Sequence, residues 1–85
     1  MAYEVAFKPS AFRSLANFPI AAQKRILVKI ESLAENPFPP GVKKLRGDEN
    51  LYRIRVGDYR VICQVQSELL LVLVLRIGHR KEIYQ

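Results

Sequence analysis

The chain contains one cysteine, Cys63, and one histidine, His79, in 85 residues. A single cysteine excludes an internal disulfide and a cysteine-based zinc site, and it fits a reducing compartment. A single histidine excludes a two-histidine acid/base pair and a histidine cluster for a metal. Acidic side chains are scarce, 8 against 14 Lys plus Arg. They are also scattered, which argues against a nuclease that holds its metal with carboxylates. The longest apolar run covers residues 69–75, whereas a membrane span needs roughly 20 residues. Residues 1–8 lack the basic stretch and apolar run of a signal peptide. No phosphate-binding loop of the G-x-x-x-x-G-K-[ST] or G-x-G-x-x-G type occurs. These absences lead us to expect a soluble, cytoplasmic protein with no metal, no small-molecule cofactor and no membrane partner.

What the chain does have is positive charge: +6 overall, with a pI near 9.8. Its hydrophobic content of 49% is that of a globular protein rather than a disordered one. The length allows one domain, residues 1–85, with one modest core. The charge excess points to a polyanionic partner, nucleic acid first.

Residues 2–8 alternate, with Tyr3, Val5 and Phe7 on one side, as a strand does. Ser10 is placed to cap a short helix carrying Phe12, Leu15 and Ala16. Pro19 suits the first turn of a second helix running to about Glu35, whose apolar face is Ile26, Leu27, Ile30, Leu33 and Ala34. The stretch 36–41, rich in proline, ends it. Three strands follow, at about 50–56, 59–66 and 69–77. The order β-α-α-β-β-β predicts an α+β fold, a helical hairpin packed on one face of a mostly antiparallel four-stranded sheet.

Gly57-Asp58 makes a two-residue hairpin turn, and this sets a register: Val56 faces Tyr59, Arg55 faces Arg60, Ile54 faces Val61 and Arg53 faces Ile62. Directly opposed residues share a face. Tyr52, Ile54, Val56, Tyr59, Val61, Cys63 and Val65 then pack on the helices. Arg53, Arg55, Arg60, Gln64 and Gln66 fall on the other side. Carrying the register through a Ser67-Glu68 turn places Leu71, Leu73 and Leu75 beside the arginines. Arg55 opposite Arg60 is unfavourable by a few tenths of a kcal/mol. The plain reading is a solvated face with salt bridges, but these strands offer no acid to pair with. A bound phosphate would remove the repulsion, and the planar fork of arginine suits it.

The last strand leads into a basic segment with His79, Arg80, Lys81 and Tyr84. His79 reads either as an exposed tail residue or as an acid/base group, since imidazole titrates near pH ~6.5. Tyr84 reads either as a core or edge aromatic or as a ring that stacks on a nucleobase. Cys63, mid-strand on the core side, is a poor nucleophile.

Three segments carry a resemblance. They are Leu45-Arg46-Gly47, the run from Leu51-Tyr52-Arg53 through Gly57-Asp58-Tyr59-Arg60-Val61-Ile62, and Ile77-Gly78-His79-Arg80-Lys81-Glu82-Ile83-Tyr84. In this order they resemble the RelE/ParE superfamily of bacterial and archaeal toxins, and the closing segment is most like the RelE branch. The resemblance implies a toxin of a toxin–antitoxin system, neutralised by a cognate antitoxin. It further implies metal-independent cleavage of mRNA in the ribosomal A site, with the ribose 2′-hydroxyl attacking the adjacent phosphate. Carried over by motif, Arg60 would hold the scissile phosphate, Arg80 would stabilise charge on its oxygens, and Tyr84 would stack on or orient the base. Arg53 and Arg55 match a basic pair, and Lys81 adds an RNA-binding cation. The best-known RelE members carry lysines at that pair. Arginine stays protonated, so Arg53 and Arg55 read as electrostatic groups and His79 becomes the candidate base. Two other functions compete: a ParE-like toxin that inhibits DNA gyrase by protein contact, and an inactive relative that only binds RNA.

Overall fold

The computed structural model describes residues 2–45 and 50–83. Its elements are β1 (Glu4–Phe7), α1 (Pro9–Ala16), α2 (Ile20–Ser32), β2 (Lys43–Lys44), β3 (Leu51–Val56), β4 (Tyr59–Gln66), a 3₁₀ turn (Ser67–Leu69), β5 (Leu71–His79) and α3 (Arg80–Ile83). The sheet has five strands in the order β1-β5-β4-β3-β2. β1 runs parallel to β5, and every other pairing is antiparallel. The fold is α+β as expected, with one strand more than the four read from the sequence. β2 has only two residues, too few to show a period.

Local chemistry moves two helix ends. α1 begins at Pro9, with Lys8 as its N-cap in extended backbone, so Ser10 lies inside the helix instead of capping it. A proline fits the first position because its missing amide would lack a partner there. Pro19 is the N-cap of α2, one place before the first turn. α2 stops at Ser32, short of Glu35, and its end tightens into i→i−3 bonds: Leu33 N–H to Ile30 O, Ala34 N–H to Glu31 O and Glu35 N–H to Ser32 O. Ala34 O in turn accepts Tyr3 N–H at 2.7 Å, which ties the start of the chain to the end of α2.

The β3–β4 register is the one the turn dictates, from Val56↔Tyr59 to Arg53↔Ile62. Gly57 takes φ 58°, as the first central position of a tight hairpin requires of a glycine. The Arg25 guanidinium of α2 also reaches this turn, where a Cβ would lie 2.5 Å from its Nη2, though that flexible end can move aside. The helix-facing side of the sheet supplies Ile54, Val61, Cys63, Val65, Val72, Val74 and Ile77. These pack on Ala11, Leu15, Ile26, Ile30 and Leu33, all buried.

β5 differs from the expected strand in span and in phase. The chain crosses from β4 through the 3₁₀ turn and Leu70, which sits at φ 51°, so β5 starts at Leu71. Leu71 and Leu73 oppose Gln66 and Gln64, on the arginine side as expected. The ladder then shifts, with Cys63 facing Val74 and Ile62 facing Arg76. Leu75 is the extra residue of a bulge, so the alternation changes parity beyond it. Without the bulge the odd positions would stay on the arginine side as far as His79. With it, Arg76 and Gly78 take that side, and Ile77 and His79 turn toward the helices.

Cys63 has no exposed surface, and burial pushes its thiol from the ordinary 9.0 up to about 11. The native protein should therefore resist a thiol reagent at pH 8 and react on unfolding; rapid labelling of the folded chain would contradict this packing. The sign of the pH effect follows. The folded thiol keeps its proton where the unfolded thiol has lost it, so its contribution is full below pH 9 and falls as pH climbs from about 9 to about 11. Urea unfolding should show wild type losing stability relative to Cys63→Val across that window.

Candidate nucleic-acid interface

Strand pairing alone assembles a cationic surface on the side of the sheet away from the helices. One row across it reads Lys43, Arg53, Ile62 and Arg76, from β2 to β5. The next row reads Arg55, Arg60 and Gly78. Neighbouring strands lie about 4.8 Å apart, so these side chains are held close by backbone geometry. Lys43, Arg53, Arg55 and Arg60, with Pro40, Gly41 and Gly57, line a cleft of about 480 Å³. No Asp or Glu among the described residues lines it. The loop before β2 is pinned by Phe38, whose ring meets Tyr52 edge-on at 5.0 Å, and by its own N–H, which donates to Asn36 Oδ1.

Arg60 lies on the expected side but is only 8% exposed. Its Nη1 donates to Gly57 O at 3.0 Å and Tyr59 O at 2.9 Å, so the side chain curls back over the hairpin turn. The same turn holds the C-terminal segment. Arg80 N–H donates to Asp58 O at 2.7 Å, and Arg80 Nε lies 3.9 Å from Asp58 Oδ1. That ion pair is exposed and contributes little energy, so the backbone bond does most to position Arg80. Gly78, next to Arg60 across the ladder, lies against Ile83 of α3, within ordinary contact distance. α3 thus folds back at the arginine end of the sheet, with Ile83 buried.

Of the residues named from the sequence, Arg53, Arg55 and Arg60 come together in the cleft, and Arg80 hangs from the turn beside them. Lys81 is exposed on α3. His79 is across the sheet from the arginines. It opposes Tyr59, meets that ring edge-on at 5.7 Å, and its Nδ1 accepts Lys81 N–H at 3.2 Å. Tyr84, and Arg46 and Gly47 of the first motif, lie outside the described residues. The sequence reading missed Lys43 and Arg76. The signal for Lys43 was a basic pair right after a proline-glycine loop. Its alternation with Lys44, which opposes Tyr52 on the helix side, shows only once β2 is paired. Among the described residues no group of three or more His, Cys, Asp or Glu side chains comes together, and no helix is long and apolar enough to cross a membrane.

Residues 6–84 match the model of a family described as the ParE toxin of the type II toxin–antitoxin system parDE. Toxin RelE3 of Methanocaldococcus jannaschii is 35% identical over 95% of this chain and 94% of its own length. A putative RelE-like toxin protein of Escherichia coli is 31% identical over 95% of this chain and 86% of its own. In the solved structures, the archaeal RelE–RelB complex from Pyrococcus horikoshii contains a chain that superposes with a TM-score of 0.85 at 32% identity, covering 96% of this chain and 99% of that one. The toxin–antitoxin complex RelBE2 of Mycobacterium tuberculosis contains one with a TM-score of 0.82 at 27% identity, covering 96% and 95%.

The opposed arginines make a testable trade. Arg55→Gln should raise stability toward urea by a few tenths of a kcal/mol at low ionic strength, and the gain should shrink as salt screens the pair. A loss of stability would show that Arg55 is held by attraction and not against repulsion.

Proposed function

Because the chain belongs to the ParE toxin family of type II toxin–antitoxin systems, and its named relatives are RelE toxins, we propose that it is a ribosome-dependent endoribonuclease that cleaves mRNA in the A site. The observation that carries this reading is the cleft in which Arg53, Arg55 and Arg60 converge with no carboxylate among the described lining residues. In the reaction, the ribose 2′-oxygen attacks the adjacent phosphorus and the bond to the 5′-oxygen breaks. This leaves a 2′,3′-cyclic phosphate and a 5′-hydroxyl. The 2′-hydroxyl gives up a proton, and the leaving oxygen takes one from water. Extra negative charge builds on the non-bridging oxygens, where preorganised cations act most strongly. Arg55 and Arg60 hold the phosphate, Arg53 adds to the local potential, and Arg80 stabilises the developing charge from the end of the sheet. Lys81 meets the flanking RNA, and Tyr84 stacks on the base.

The face that His79 occupies supports a different role from that of a base. As an acceptor for Lys81 N–H and a neighbour of Tyr59, it orients the segment bearing Arg80. The partner that restrains the toxin is a cognate antitoxin, in line with the toxin–antitoxin complexes whose toxin chains share this fold. A low-salt encounter steered by the +6 charge fits an acidic protein.

The test is to add the protein to translating ribosomes and map 5′ ends on the message. Cuts within A-site codons are expected. Intact message together with accumulated cleaved DNA–gyrase complex would select the gyrase inhibitor instead. Arg80→Ala should lower the cleavage rate about 10²–10³-fold with the fold intact. Arg60 also bonds the turn, so Arg60→Lys is the cleaner variant at that position. It keeps the charge, loses the fork and should cost a similar factor. Wild-type rates in either variant would remove that residue from the site. His79→Gln should leave the shape of the pH–rate profile unchanged, and a lost limb would restore it as the base.

A further inference from the structure

Removing a proton from a ribose hydroxyl calls for a group that can lose its own proton, and among the described residues lining the cleft there is one such side chain. Of the residues lining it, Pro40, Gly41 and Gly57 carry no titratable group, and Arg53, Arg55 and Arg60 are guanidiniums that stay protonated. The remaining residue is Lys43. Its strand has two residues, and pairing directs them apart: Lys44 opposes Tyr52 on the helix side, whereas Lys43 opposes Arg53 on the cleft side. Lys43 is exposed, so water and substrate reach it. Among the described residues, the charged groups facing it are Arg53 and Arg55 from β3 and Arg60 from β4. The loop before β2 contributes Pro40 and Gly41.

On the reading of the cleft as a ribonuclease site, we propose that Lys43 is its general base. The neutral amine takes the 2′-hydroxyl proton as the oxygen–phosphorus bond forms. The bond to the 5′-oxygen breaks, that oxygen is protonated by water, and the ammonium then returns its proton to solvent. Only the neutral amine can take the proton, and the ammonium must lose its own proton first. The cleavage rate should therefore climb with pH over the range the ribosome tolerates.

Charge and basicity are separated by Lys43→Arg, which keeps the cation and cannot give up a proton. We expect single-turnover cleavage on ribosomes to fall about 10²–10⁴-fold and to lose its rise with pH. Binding to ribosomes programmed with a 2′-deoxy A-site codon should stay within about twofold of wild type, as RT-sized differences do. In Lys43→Ala, added methylamine or ethylamine should restore part of the rate in proportion to the concentration of free amine. A Lys43→Arg variant that cleaves like wild type overturns the proposal and leaves the ribonuclease reading standing. So does an Ala variant that amines fail to rescue. Absence of cleavage by wild type itself overturns both.

Discussion

Arg55 and Arg60 face each other directly across an antiparallel pair, a like-charge placement that the rest of the fold imposes. The contact is forced from both ends. On the helix side, Ile54 and Val61 are buried in the core in the neighbouring pair, so a slip of one residue would turn apolar side chains outward and cations inward. At the tip, Gly57 fixes the loop at two residues by adopting a backbone angle most side chains avoid. Fully burying one aliphatic side chain contributes about 1.5–3 kcal/mol, several times the repulsion. The core therefore sets the register, and the arginines accept it.

The same turn connects the two ends of the cationic surface. Its carbonyls receive Arg60 Nη1 and the Arg80 amide, so two residues far apart in sequence are referenced to one loop. A change in that loop should reach both arginines at once. The open side of the sheet and the C-terminal segment also meet where Ile83 packs against Gly78. The cleft side thus gathers Arg53, Arg55 and Arg60, while His79 lies on the opposite face.

Legibility in the sequence followed how many independent signals met at a residue. The β3–β4 hairpin carried both a period of two and a turn dipeptide, and its register could be written down residue by residue. The apolar stripe of α2 likewise identified Ile26, Ile30 and Leu33 as core. The bulge at Leu75 had no such marker, because in a run of leucines and valines either phase looks apolar. That one extra residue decides which side His79 takes, and so the candidate base could not be placed from the sequence. The cap at Ser10 failed because Pro9 competes for the same helix start and wins. Lys43 stayed hidden because a two-residue strand has no pattern, although it borders the cleft.

The central claim is that this cluster of cations acts on a phosphate through the neighbouring 2′-hydroxyl. The most direct measurement places a message with a single 2′-deoxy nucleotide at the scissile position in the A site, and compares it with the all-ribose message for both cleavage and end groups. The account predicts that the deoxy message stays intact while the ribose message yields a 2′,3′-cyclic phosphate and a 5′-hydroxyl. Cleavage of the deoxy message, or products bearing a 5′-phosphate, would contradict it.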